Sequence, residues 1–283
     1  MNPIFVTGAS GFVGSHLSSL CPVIPMQGDL ADFDNLKSQI EKHKPQSIIH
    51  LAAQSHVGSS YQNPKSTYEV NFLGTYNLVE ALKASGFKGR LLYISSADVY
   101  GHAEYLPIDE VHPCNPLSPY AISKKAAELI CLQEKAFDII IARPFNHIGP
   151  GQNKLFALPS FAAQLKSIQK GEREPCLRIG NLQTTRDFCD VRDIVKGYLH
   201  LLEKGRAGEI YNLCKGEESG MAQMLEGLIS LSGLKVQVEQ DPFLVRPGEQ
   251  PRVLGSFAKI YKDTGWKPEI SLAQSLQDIW EHA

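Results

Sequence analysis

Tyr120 and Lys124 stand four residues apart in Ser118-Pro-Tyr-Ala-Ile-Ser-Lys-Lys125. In a helix that spacing puts a phenol and an ammonium on one face, about a turn apart. Pro119 suits the first helical position, where its missing N–H costs nothing, and Ala126-Ala-Glu-Leu-Ile-Cys-Leu132 is a good helix former. An ammonium beside a phenol favours the phenolate, so the pair is able to pass a proton at a pH below the free phenol's pKa of about 10. Tyr-x-x-x-Lys occurs three times in the chain. Pro64 interrupts the pair at 61 and 65, and Tyr211 and Lys215 lie in a strand-like run, Ile-Tyr-Asn-Leu-Cys, where four-residue neighbours do not stack. Only the pair at 120 and 124 has a helical setting. Its plain alternative is a half-buried tyrosine beside a surface lysine, and the surrounding residues decide between the two.

The elements that must hold this pair follow from the apolar pattern. Short runs rich in Ile, Leu and Val at 4–6, 48–52, 91–95 and 138–143 read as strands, and 32–42, 66–85 and 120–135 read as helices. Such alternation predicts an α/β fold, a doubly wound parallel sheet covered by helices on both faces. After about residue 145 the pattern loosens into Pro and Gly turns and separate helices. A smaller C-terminal α/β lobe is expected there, with 1–145 and 187–215 forming a dinucleotide-binding domain and 146–186 and 216–283 a substrate lobe.

With 283 residues the chain is long enough for two lobes. A net charge of -2 gives no reason to expect nucleic acid or an anionic membrane as partner. No 18-residue apolar run is present, and a soluble cytoplasmic protein is expected. The six cysteines form no Cys-x-x-Cys, which fits reduced thiols, and the nine histidines make no ligand spacing, so no metal site is expected.

The first strand runs into Thr7-Gly-Ala-Ser-Gly-Phe-Val-Gly14. Glycines at 8, 11 and 14 between a strand and a helix allow a tight turn, close approach of a pyrophosphate, and close packing of helix on sheet. The helix N-terminus then offers N–H groups and a partial positive charge to phosphates. The spacing is Gly-x-x-Gly-x-x-Gly, and further phrases follow in order: Gly28-Asp-Leu30, His50-Leu-Ala-Ala53, Asn71-Phe-Leu-Gly74, Ser95-Ser-Ala-Asp-Val-Tyr-Gly101, the pair at 120 and 124, and Arg143-Pro-Phe-Asn146. Through these the chain resembles the extended short-chain dehydrogenase/reductases, the class that works on nucleotide sugars. Later phrases, Arg143 to Gln152, Gly180-Asn-Leu182, Arg186-Asp-Phe-Cys-Asp-Val-Arg-Asp-Ile-Val195 and Tyr211-Asn-Leu-Cys214, are most similar to the GDP-4-keto-6-deoxy-D-mannose reductase branch of that family.

The resemblance implies an NAD or NADP cofactor held by Gly8, Ser10, Gly11, Phe12, Val13, Gly14, Asp29, Leu30, Leu51, Ala52, Ala53, Asn71, Tyr120, Lys124, Pro144 and Phe145. It implies Tyr120 as acid/base, Lys124 holding the nicotinamide ribose and lowering the phenol's pKa, and Ser96 bonding the reacting oxygen. For a nucleoside diphosphate sugar, GDP-linked by the same likeness, it implies His56, Asp98, Asn146, Arg186, Arg246 and Glu249, the arginines towards the pyrophosphate, where a guanidinium fork suits phosphate oxygens. A homodimer is expected by analogy. Related 4,6-dehydratases carry a Glu and a further acid or hydroxyl where this chain has Asp98 and Ala97, so a two-acid site is incomplete. The second strand, placed at 23–26, lacks both the acid that binds an NAD ribose and an Arg for the NADP phosphate, leaving that choice open. The expected reaction is reduction of a C4 ketone; a 4-epimerase or 4,6-dehydratase with tightly held NAD, and a non-catalytic dinucleotide-binding protein, are the alternatives.

Overall fold

A computed structural model describes residues 3–245 and 249–283. The first half alternates as the apolar runs require: β1 (Ile4–Thr7), α1 (Phe12–Leu20), β2 (Val23–Pro25), α2 (Phe33–His43), β3 (Ser47–His50), α3 (Val57–Gln62), α4 (Pro64–Tyr68), α5 (Gly74–Ala84), β4 (Arg90–Ile94), α6 (Pro119–Gln133) and β5 (Asp138–Pro144). There follow β6 (Asn146–Ile148), α7 (Ala157–Gln169), β7 (Cys176–Ile179), β8 (Thr185–Asp190), α8 (Val191–Lys204) and β9 (Ile210–Leu213). The chain closes with β10 (Glu218–Gly220), α9 (Met221–Ser232), β11 (Gln237–Gln240), α10 (Ala258–Thr264) and α11 (Leu272–Glu281).

Six strands form one sheet in the order β2-β1-β3-β4-β5-β9, every pair parallel. Its strands are apolar on both sides because helices cover both faces. One face packs Leu17, Val195, Tyr198 and Trp266 from α1, α8 and the stretch after α10. The other packs Leu36, Ile40, Leu78, Leu82, Ala127 and Cys131 from α2, α5 and α6. Burying each such leucine contributes about 1.5–3 kcal/mol. Strand order reverses between β1 and β3, so the crevice above their carboxyl ends is where a doubly wound sheet binds ligands.

The second lobe has a three-stranded sheet, β10-β8-β6, and a two-stranded one, β11-β7. Its core joins Phe161 and Leu165 of α7, Met224 and Leu228 of α9, and Ile279 and Trp280 of α11. The expected boundary at 186/187 falls inside β8, which pairs with β6 and β10 in this lobe, while α8 directly after it lies on the large sheet. α10, placed by sequence in the second lobe, packs on α8 and β9 instead. The expected helix over 66–85 is interrupted by a π turn at Glu69–Leu73.

Candidate active site

The loop from β1 to α1 shows why its glycines are needed. Gly8 has φ +69, and a Cβ there would lie 2.7 Å from the amide nitrogen of Ala52, in the loop after β3. The two loops at the switch point therefore touch backbone to backbone. A Cβ on Gly14 would lie 2.5 Å from the Ala9 carbonyl, so only glycine lets α1 start this close to the loop. No side chain caps α1, whose N-cap is Gly11, and its first turn holds no acid. An uncapped, uncharged helix start beside a glycine-rich turn fits a dinucleotide pyrophosphate.

Below this loop runs a buried polar chain. Thr75 donates to the Asn71 carbonyl at 2.6 Å, so its oxygen accepts from Nε2 of His50 at 3.0 Å. His50 Nδ1 then accepts from the Thr7 hydroxyl at 2.6 Å, and Thr7 accepts from the Ala52 amide at 3.1 Å. Burial, with Lys124 nearby, pulls the pKa of His50 down to about 3, so the ring is neutral. Asn71 sits in the π turn, a feature frequent at functional sites. It bonds the backbone of Gln54 on both its side-chain atoms and donates to Ser123 Oγ at 3.0 Å. Ser123 donates in turn to the Tyr120 carbonyl at 2.7 Å. The chain from Thr7 to Tyr120 thus fixes the glycine loop relative to α6.

α6 begins as its sequence requires. Ser118 is the N-cap and accepts the Ala121 amide at 3.1 Å, with Pro119 in the first turn. Tyr120 is 8% exposed and Lys124 4%, so the plain reading of Lys124 as a surface lysine does not hold. The Tyr120 hydroxyl faces Ser96, which caps the 3-10 turn Ala97–Tyr100 by accepting the Asp98 amide. Lys124 Nζ donates to the Ile94 carbonyl at 2.8 Å and lies 5.3 Å from the Tyr93 ring centroid.

The expected lowering of the phenol's pKa by Lys124 is not what dominates. Burial and the Asp98 carboxylate push Tyr120 well above the ordinary tyrosine value, with the Ser96 hydroxyl opposing. The ammonium is held on the Ile94 carbonyl. Burial also drags Lys124 down to about 8. A protonated phenol beside a serine hydroxyl is in the form a proton donor needs.

The remaining expected residues divide by place. Ser10, Phe12 and Val13 lie on the glycine loop and the start of α1, while Leu51 to Ala53 follow β3 and Pro144 and Phe145 end β5, all at the carboxyl edge of the sheet. Asp29 closes an Asx turn onto the Ala31 amide, and Leu30 packs under Gly74. His56 caps α3 through Nδ1 and meets Phe156 edge-on at 5.7 Å. Asn146 is exposed at the start of β6. Arg186 is tied to Glu249 at 3.0 Å and to the carbonyls of Thr185 and Gln250. Arg246 lies outside the described residues. Sequence reasoning gave no role to Ser123, Thr75 or Glu128; the period 120, 124, 128 along α6 was the available signal for Glu128. Among the described residues no cluster of His, Cys, Asp and Glu could hold a metal ion, and no helix is long and apolar enough to cross a membrane.

Comparison with known proteins agrees with this geometry. The profile described as GDP-mannose 4,6 dehydratase matches residues 23–279. The chain is 43% identical to GDP-6-deoxy-D-mannose reductase of Pseudomonas aeruginosa, over 98% of this chain and 97% of that one. It is 30% identical to GDP-6-deoxy-D-talose 4-dehydrogenase of Aggregatibacter actinomycetemcomitans, over 93% and 91%. Among solved structures it superposes on RMD from Pseudomonas aeruginosa complexed with NADPH at TM-score 0.94 and 42% identity, covering 100% and 98% of the two chains. The chain therefore belongs to the GDP-mannose 4,6 dehydratase family, within the NAD(P)-dependent short-chain dehydrogenase/reductases that act on nucleotide sugars.

Proposed function

We propose that this enzyme reduces the C4 ketone of a GDP-4-keto-6-deoxyhexose to a GDP-6-deoxyhexose, GDP-D-rhamnose or its C4 epimer GDP-6-deoxy-D-talose. The observation that carries the reading is the near full-length likeness to a reductase named for that deoxysugar. A bound nicotinamide supplies hydride. As charge grows on the ketone oxygen, Tyr120 delivers its proton and Ser96 donates a hydrogen bond. Lys124 orients the ribose and stabilises the phenolate left behind. Met26 and Gln27, at the end of β2, bring no carboxylate to repel a 2'-phosphate, which supports NADPH as the donor.

For the substrate, the sugar nucleotide lies between the sheet edge and the second lobe, with His56, Asp98 and Asn146 near the sugar and Arg186 near the phosphates, a role that sequence likeness gives to Arg246 as well. The outer surface of α5, α6 and the turn before α5 leaves Leu73, Tyr76, Ile122 and Leu129 between 43% and 51% exposed, and we read it as a homodimer face in a cytoplasmic enzyme. Light scattering of a Leu129→Glu variant tests that face.

The deciding experiment incubates purified protein with GDP-4-keto-6-deoxymannose and NADPH. One NADPH consumed per product formed is expected. An epimerase or dehydratase shows no net consumption, and oxidation of NADPH only with a different keto sugar refutes the substrate. Product NMR assigns the configuration at C4.

A further inference from the structure

Tyr120, Lys124 and Glu128 recur every four residues, so one face of α6 carries a phenol, an ammonium and a carboxylate in succession. Glu128 is completely buried and its partner Arg143, on β5, is 1% exposed. Arg143 donates from Nε to Oε1 and from Nη2 to Oε2, both at 2.7 Å. Lys125 adds a contact to Oε2 at 3.1 Å. On its other side the Arg143 guanidinium lies 4.7 Å from the Tyr100 ring centroid, and the Tyr100 hydroxyl donates to Asn212 at 2.7 Å. A buried fork of this kind keeps both charges and a fixed geometry. It grips every segment that carries a reacting group: α6 through Glu128, the turn after Ser96 through Tyr100, and the strand end before Phe145 through Arg143.

The charges around Lys124 follow from its neighbours. Tyr120, Glu128 and Cys131 approach along α6, His50 from β3 and Tyr93 from β4, with Arg143 of β5 clasped to Glu128. Burial keeps His50 neutral and pushes the Cys131 thiol up to about 12, and both phenols stay protonated for the same reason. Glu128 is therefore the anion that acts on Lys124, and Arg143 and Lys125 are the cations that temper it; Asp98 faces the phenol end of the helix.

We propose that Glu128 and Arg143 are positioning residues for this reaction, a buried charge pair that keeps Lys124 cationic against the Ile94 carbonyl without drawing it along the helix away from Tyr120. The role rests on the reading of Lys124 as the lysine that serves Tyr120, but its test needs no substrate. The two halves of the pair act on Lys124 with opposite sign. Glu128→Gln removes the anion and leaves a guanidinium, so Lys124 loses its proton at lower pH. Arg143→Gln removes the cation and exposes Lys124 to the carboxylate, which Lys125 still holds ionised, so Lys124 keeps its proton to higher pH. A structural defect has no reason to reverse direction.

The experiment follows the 13Cε resonance of Lys124 in protein carrying labelled lysine, assigned by its loss in Lys124→Arg, as pH is raised. The midpoint should fall by about one pH unit in Glu128→Gln, rise by about one in Arg143→Gln, and return towards the wild-type value in the double variant. The alkaline limb of kcat should move in step. Should Glu128→Gln fail to fold, Arg143→Gln and the surface variant Lys125→Gln carry the test, since each strips a cation from Glu128 and each should raise the midpoint. A midpoint that stays put, or moves the same way in both halves of the pair, makes Glu128 and Arg143 a folding brace and overturns the proposal.

Discussion

Asn71 donates to Ser123 Oγ across 3.0 Å, tying the π turn before α5 to the third residue after Tyr120. Both partners are buried, and loss of either takes one hydrogen bond from the other, at a cost of about 0.5–1.5 kcal/mol. Asn71→Ala and Ser123→Ala should each lower kcat by about tenfold, equivalent to roughly 1.4 kcal/mol of transition-state alignment. Because the contact between them is lost in both, the double variant should cost less than the sum of the two single ones. Fully additive losses in kcat would show that the two residues act separately.

Tyr120→Phe removes the proton donor and keeps the ring that fills the site. A fall in kcat of about 10²–10⁴ is expected, with NADPH affinity, measured by fluorescence, close to wild type. Near-normal turnover would falsify the proton-donor role.

Lys124 has a stability signature of its own. Its pKa is about 8 in the fold against an ordinary 10.5, so the buried cation opposes folding at neutral pH. Between these two values the unfolded chain binds more protons than the folded one, and stability rises with pH. Lys124→Met should therefore be inactive yet more stable at pH 7, by about 1–3 kcal/mol once the lost bond to Ile94 is counted. The gain should shrink as pH climbs from 8 towards 10.5. Denaturant titrations at pH 7 and pH 10 check it; a gain that grows with pH means the lysine is not a buried cation.

The glycine loop was legible because its demands are local. Gly14→Ala places a methyl 2.5 Å from the Ala9 carbonyl, which backbone must move to relieve. A loss of about 1–3 kcal/mol in stability and at least tenfold in NADPH affinity is expected. Calorimetry reads both, and unchanged affinity would remove the loop from the cofactor site.

The strands of the large sheet's first half and α6 could be read from sequence for the same reason: apolar runs, an N-cap serine and Pro119 act within a few residues. What could not be read depends on partners brought together only by the fold. Thr7 and His50 meet across 43 residues, and His50 is otherwise one histidine among nine. The π turn leaves no mark in Glu-Val-Asn-Phe-Leu, which has ordinary helix formers. β8 escaped notice because Thr-Arg-Asp-Phe-Cys-Asp lacks the apolar density of the large sheet; its order comes from pairing with β6 and β10.

Arg186 and Glu249, 63 residues apart, form such a pair. Sequence likeness places Arg186 towards the substrate's pyrophosphate, whereas here its guanidinium bonds a carboxylate and two carbonyls. Both hold if the phosphates displace Glu249 as the sugar nucleotide enters. Arg186→Ala should then raise KM for the GDP sugar by about 10–100-fold, the equivalent of a lost charged hydrogen bond of roughly 1.5–3 kcal/mol, with kcat changing less. Glu249→Gln releases the guanidinium from its rival anion, so KM should fall or hold. Steady-state kinetics at fixed NADPH measures both, alongside thermal unfolding. If Arg186→Ala lowers Tm while KM stays at the wild-type value, the arginine braces the second lobe and the phosphates are held elsewhere.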